Sequence, residues 1–254
     1  MKLFARPDWR PWLLPLTFIL LWSTASWLDW VNPKLIPPPE KVIEVALQEF
    51  QHDEFLPGLT ASSYRNLLGF VLGSLLGVAF GLLLGMERVA RRIFGPTFHV
   101  LRQISLFAWL PLLTTWLGQG DVAKLTFIAL SAFYPVALNT LAGIRSIPAA
   151  QIEVARVYAF NRTQRLTRLI LPAAAPRIFT GLQIGLLAAW LATIGADYLL
   201  ASWDVGLGNV VIRGSASFNV ALIVFGMLVI GIVGSAFNWL LRRIERSTLA
   251  WQQA

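Results

Sequence analysis

Residues 66–85 read NLLGFVLGSLLGVAFGLLLG, twenty positions without a single charge. That is about the length a helix needs to cross the hydrocarbon core of a bilayer. Gly69, Gly73, Gly77, Gly81 and Gly85 recur at every fourth position, so on a helix they fall on one face. In a water-soluble helix each glycine would cost about 1 kcal/mol relative to alanine. In a membrane the missing Cβ atoms let a second helix approach closely, and dispersion contacts replace the absent hydrophobic drive. The run therefore predicts a membrane helix with a packing seam. The seam can face a helix of the same subunit or of a second copy, and the sequence leaves both open.

Five more runs are long and mainly apolar, with Asp29, Arg102 and Asp197 as their only charges: Trp12–Val31, Phe98–Leu117, Leu125–Ile144, Thr180–Leu200 and Phe218–Leu241. The first follows Lys2, Arg6 and Arg10 and could be a cleaved signal. Its length, its four tryptophans and the lack of a small-residue cleavage pattern favour a retained helix. Composition agrees: 56% of the 254 residues are hydrophobic and 13% are charged, against about 25% charged in soluble domains. A soluble enzyme and a disordered chain are both set aside. With no cysteine and with His52 and His99 as the only histidines, thiolate metal sites, Cys nucleophiles and clustered His sites are excluded or without support.

The formal charge of +8 would suit nucleic acid if it were clustered on a soluble surface. It is instead sorted by side. Segments 1–11, 86–97, 145–179 and 242–254, with Arg102, hold 16 Lys/Arg and 4 Asp/Glu. The opposite segments and helix ends hold 5 Lys/Arg, among them Arg65 and Lys124, and 9 Asp/Glu. By the positive-inside rule this split places both termini in the cytoplasm. No nucleic-acid partner is implied. On the outer side Pro37-Pro38-Pro39 leads into an amphipathic stretch, Glu40 to Phe50. Val42, Ile43, Val45, Ala46, Leu47 and Phe50 form its apolar face, and Glu40, Lys41, Glu44 and Glu49 its polar face. It reads as a helix lying on the membrane or packed on the bundle. The fold expected is an all-α membrane protein of about six transmembrane helices in one domain.

The 145–179 loop carries six arginines and one acid, Glu153. Pro148 suits a helix start, and Asn161 with Gln164 forms a capping pair that opens a second helix. Pro172 and Pro176 are expected to end that helix before the next span. The loop is a helix–turn–helix. Glu153-Val154-Ala155, Ala159, Leu169 and Leu171-Pro172 resemble the signature of importer-type ABC permeases, which reads Glu-Ala-Ala, three residues, Gly, nine residues, Ile, one residue, Leu-Pro. Val154, Ala159 and Leu169 replace Ala, Gly and Ile; at Ala159 the departure costs the tighter turn that Gly allows. Further likeness lies in Leu35 to Pro39, Leu59 to Gly73, Trp109 to Leu112, Trp116-Leu117-Gly118 with Lys124, and Trp190 to Gly208. Together these are similar to permeases for aliphatic sulfonates, taurine and nitrate.

The resemblance implies a single permease domain over 1–254, with a first helix at 12–31, a core at about 60–241 and a cytoplasmic coupling loop at 145–179. It implies a bacterial inner-membrane location, a second permease copy in a homodimer, surrounding membrane lipid, a solute-binding protein, and ABC ATPase subunits that bind ATP and Mg. None of the four lysines stands in a Gly-Lys-Ser/Thr phosphate loop, so the chain is not itself expected to be an enzyme. ATPase coupling is expected of Glu153, Ala155, Arg156, Ala159, Leu171 and Pro172, with the first loop helix seated in an ATPase groove and Leu171-Pro172 setting the exit angle of the next span. Intramembrane polar or aromatic groups give pathway candidates: Ser105, Trp109, Thr114, Thr115, Tyr134, Asn139, Thr193 and Asp197. Two rival readings remain: an ion-coupled secondary transporter, for which Asp29 and Asp197 are the available acids, and an ABC permease for another solute such as a pyrimidine vitamin precursor.

Overall fold

The computed structural model describes residues 10–28, 30–200 and 206–249. Among these the secondary structure is helical: α1 Arg10–Trp27, α2 Pro39–Phe50, α3 Phe55–Met86, α4 Arg88–Leu101, α5 Leu110–Leu117, α6 Asp121–Arg145, α7 Ala149–Val157, α8 Arg162–Gln164, α9 Leu171–Leu199, α10 Gly208–Ala216 and α11 Val220–Thr248. Four helical segments are long and apolar enough to cross a membrane: α3, α6, the run Arg162–Leu199 and α11. A fifth span is possible as a bent pair. Asp29 and the Lys2–Arg6 flank of the first span lie outside the described residues, and the described apolar part of α1, Leu13–Trp27, is shorter than a full span.

The Phe98–Leu117 run is not one straight helix. Helix α4 stops at Leu101, and its axis makes an angle of 96° with the Leu106–Leu117 segment. Arg102, Gln103, Ile104 and Ser105 form an exposed turn at the break. Pro111 then starts α5 near its N-terminus, where a missing N–H costs nothing. Gly118, at φ +80°, ends that helix.

Helix α6 is the central member of the bundle, and close backbone approach on two faces explains why. Cβ atoms added at Gly69, Gly73, Gly77, Gly81 and Gly85 would meet Ile128, the Ala129 carbonyl, Phe133 with Val136, Ala137 with Thr140, and Ile144, all on α6. The seam therefore lies inside the subunit. On the other face, Gly181 and Gly185 of α9 fit against Asn139, Val136 and Ala132, and Gly143 of α6 fits against Arg177 and Ala174. This second seam is not marked in the sequence, since its glycines are two on α9 and one on α6 and lack the long repeat. Around the contacts Phe127, Ile128, Ala132, Leu186 and Ala189 form the largest buried cluster.

Helix α2 packs on the bundle: Val42 and Val45 join Phe55, Trp190 and Phe225 in a second cluster. Its expected polar face is corrected at one position. Glu49 is buried and pairs with Arg213 of α10, while Ile43, Leu47 and Phe50 stay exposed. The seated face is thus rotated towards Val42, Val45 and Glu49, because a buried carboxylate is tolerated once it has a guanidinium partner.

Candidate functional site

The 145–179 segment is rigidly built. Helix α7 starts after Pro148 and ends in a left-handed residue, Ala159, at φ +50°. The Phe160 amide donates to the Ala155 carbonyl at 3.0 Å and the Ala159 amide to the Arg156 carbonyl at 2.9 Å, the bond pair of a Schellman cap. A capping box then opens the next helix, with Asn161 and Gln164 exchanging side-chain-to-backbone bonds of 2.8 and 3.0 Å.

From Arg162 the chain runs helically to Leu199, so Pro172 and Pro176 do not end the second loop helix as expected. Arg165–Ile170 winds as a π-helix. The wider turn relaxes the carbonyl register just ahead of Pro172, which then sits in the first turn of α9. Leu171 and Pro172 are therefore inside a continuous rod that joins the loop to the span.

The face of α7 open to a partner carries Glu153, Val154, Arg156, Val157 and Tyr158. Val157 is 84% exposed and Tyr158 72%. Ala155 turns the other way and is buried in its own chain, which corrects its expected place in an outward groove contact. It borders a small cleft with Ile152, Ala159, Phe160 and Arg165, and the small side chain lets α7 approach the π-helical turn.

The intramembrane candidates separate into three kinds. Thr114 and Thr115 both donate to the Pro111 carbonyl, at 3.0 and 2.7 Å, so their hydroxyls serve their own helix. Asn139 donates to Pro135 O at 2.8 Å, and its Cβ lines the α9 seam. Tyr134 stacks near Phe98 and Phe133. Trp109 is half-buried, and its indole N–H has no partner among the described residues. Ser105 lies in the exposed turn.

Thr193 and Asp197 are the interior ones. Thr193 donates to Ala189 O at 2.9 Å and lies 3.4 Å from Asn66 Oδ1. Asp197 is 1% exposed and central to a polar cluster. Ser62 Oγ donates to its Oδ2 at 2.5 Å. Lys124 Nζ lies 3.4 Å and Arg65 Nη1 3.5 Å from its Oδ1. Arg65 Nε also donates to Asp121 Oδ1 at 2.5 Å. Ser62 Oγ accepts from the Leu207 amide at 2.8 Å, and an added Cβ on Gly206 would sit 2.6 Å from the carboxyl. The cluster ties α3, α6, α9 and the start of α10 together at one end of the bundle. The sequence reading counted Arg65 and Lys124 as outer helix-end charges and missed the pairing, for which no local motif exists. Asp197 is not open to a diffusing ion; its oxygens already have three partners.

These features match a known family. The model for the inner membrane component of binding-protein-dependent transport systems covers residues 56–248. The chain belongs to that family. It is a multi-pass transmembrane permease of an ABC importer system. The "Putative aliphatic sulfonates transport permease protein SsuC" of Bacillus subtilis (strain 168) is 34% identical over 243 residues, spanning 95% of this chain and 87% of the relative. The taurine transport system permease protein TauC of Escherichia coli (strain K12) is 32% identical over 92% of this chain and 86% of its own length. The nitrate import permease protein NrtB of Synechocystis sp. (strain ATCC 27184 / PCC 6803 / Kazusa) is 31% identical over 76% and 70%. Among solved structures, the MetNI methionine ABC transporter in an inward-facing form superposes with a TM-score of 0.66, at 17% identity, over 76% of this permease and 94% of that chain. That likeness is one of fold.

Proposed function

We propose that this permease moves a small organosulfonate such as taurine, or a nitrate-like anion, into a bacterial cell by alternating access, as one of two identical copies flanking the pathway. Its relatives SsuC, TauC and NrtB support this substrate class. A separate solute-binding protein delivers the anion from outside, and separate ATPase subunits hold ATP and Mg. The 16 to 5 division of Lys/Arg supports an inner-membrane orientation with both termini in the cytoplasm.

The observation that carries the reading is the outward face of α7. Val157 and Tyr158 are large, apolar and exposed beside Glu153. They stand at the C-terminal end of a short helix closed by a Schellman cap, from which the chain turns at Phe160 and Asn161 into the helical run Arg162–Leu199 that contains the 29-residue α9. An ATPase surface that grips this face moves a helix linked by a short capped turn to the run that becomes a span, so closure of the ATPases is converted into a change of access. Glu153 and Arg156 supply charged contacts at the rim. Ala159 shapes the end of that helix, and Leu171-Pro172 transmits its motion.

The ion-coupled reading is disfavoured by the environment of Asp197, whose carboxylate is buried against Lys124 and Arg65. The test is Glu153→Lys in the complex reconstituted with its ATPase and binding protein. Insertion and assembly are expected to persist, while uptake falls at least tenfold and substrate no longer stimulates ATP hydrolysis. Unchanged uptake would overturn the coupling role of α7.

A further inference from the structure

A groove of about 490 Å³ runs between α9 and α11. Gln183, Leu187 and Leu191 line one wall, and Gly231, Ser235 and Arg242 the other. Trp190 closes its floor, with the indole N–H donating to Ile230 O at 3.1 Å. Most of the lining is hydrocarbon, and the polar groups gather towards the Arg242 end.

Three observations say what fills it. The first is length. Ile230 and Arg242 bound the groove on α11, and the intervening rise is about 18 Å at 1.5 Å per residue. That is close to one leaflet, about half of a 30 Å hydrocarbon core. The second is level. Trp239 lies one turn from Arg242, and the Arg243 guanidinium rests 4.8 Å from the Trp239 ring centroid. Trp and Arg together mark the headgroup boundary of a span. The third is charge. Arg242 enters the groove where α11 also carries Arg243 and Arg246. The nearby acid, Glu245, is engaged by Gln183 Nε2 at 2.5 Å. Basic pockets between spans on the cytoplasmic side suit anionic headgroups.

We infer that this groove holds one anionic glycerophospholipid, with an acyl chain along Leu187, Leu191 and Gly231 and its phosphate on Arg242. The site is independent of the transported solute, and its headgroup end rests on the proposed orientation with the C-terminus in the cytoplasm. It gives α11, which meets α9 less intimately than α6 does, an annular filler that seals the gap against the hydrocarbon.

Gly231 supplies a clean probe. A Cβ built there meets nothing within 4 Å, so Gly231→Leu is expected to fill the slot, and the oligomeric state and melting midpoint of the variant check that the fold is kept. The full chain, wild type and variants, is reconstituted in nanodiscs of equal phosphatidylglycerol and phosphatidylcholine. After limited delipidation, retained lipid is counted by native mass spectrometry and oligomeric state by light scattering. Wild type is expected to retain phosphatidylglycerol selectively. Arg242→Gln is expected to reduce that selectivity about fivefold, the worth of one basic residue at a lipid surface. Gly231→Leu is expected to release the lipid of either headgroup with the oligomeric state unchanged. Equal lipid retention by Gly231→Leu would overturn the assignment. So would an absence of retained lipid in wild type combined with dissociation of the oligomer by Gly231→Leu, which would make the groove an interface between copies.

Discussion

Ala159 shows how a single departure from a family signature becomes physical. The signature has Gly at this position, and the structure puts Ala159 at φ +50°, where a Cβ costs roughly 1–2 kcal/mol. Ala159→Gly is therefore expected to tighten the α7 cap by about 1 kcal/mol. Hydrogen exchange of the Phe160 amide, which donates to Ala155, should slow about fivefold; equal or faster exchange would refute the strain. Asp197 is the opposite kind of residue, held by its surroundings. Asp197→Asn leaves Lys124, 2% exposed, and Arg65, 4% exposed, facing a neutral side chain. Loss of one partner of a buried ion pair costs about 3–5 kcal/mol. A thermal melt of the variant in detergent should show a clear fall in midpoint, and an unchanged midpoint would mean the cluster is not under electrostatic load. Asp197 could be flagged in the sequence as an acid near a span end, but its partners lie 73 to 135 residues away in the chain. Only the packed bundle brings them together, which is why the motif-level reading stopped at the single residue.

At the scale of the element, the sequence was most legible where periodicity was long. The glycine repeat of α3, the helix α2 and the capping box at Asn161 each write their structure locally and each forms as expected, although the seated face of α2 is rotated towards Glu49. The bend between α4 and α5 and the passage of the helix through Pro172 and Pro176 were not legible in the same way. In both cases hydropathy or proline content argued one outcome, while a local adjustment decided another: a polar turn at Arg102–Ser105 in the first, a π-helical turn in the second. The partner of the α3 seam also had to come from tertiary structure, since small residues say only that something approaches. That contact can be tested. A Cβ at Gly73 would lie 2.1 Å from the Ala129 carbonyl oxygen, whereas one at Gly231 meets open space. Gly73→Ala should lower the melting midpoint and the yield of monodisperse protein, at a cost of about 1–3 kcal/mol or more for overpacking. Gly231→Ala should leave both near wild type. Equal behaviour of the two variants would contradict the seam.

For the whole molecule, α3, α6 and α9 pack as a tight block, and the short helix α7 is linked by a capped turn at Ala159–Asn161 to the helical run that contains α9. The block resists internal sliding because backbones touch on both faces of α6. In the coupling we propose, motion imposed on α7 is passed on as movement of the block rather than absorbed within it. The proposed coupling explains why a chain with 13% charged residues carries six arginines in one loop: in that reading the loop orients the protein and presents the surface on which work is done. It also explains why no strong anion site is found inside the described spans, since Arg65 and Lys124 are committed to acids at the end of the bundle. We propose that selection of the solute is left to the binding protein. The most direct measurement is uptake of a radiolabelled sulfonate such as taurine, or of nitrate, into proteoliposomes holding this permease with its ATPase and binding protein. The account predicts uptake that requires ATP hydrolysis and all three components. Uptake by the permease alone, driven by an ion gradient and indifferent to ATP, would contradict it.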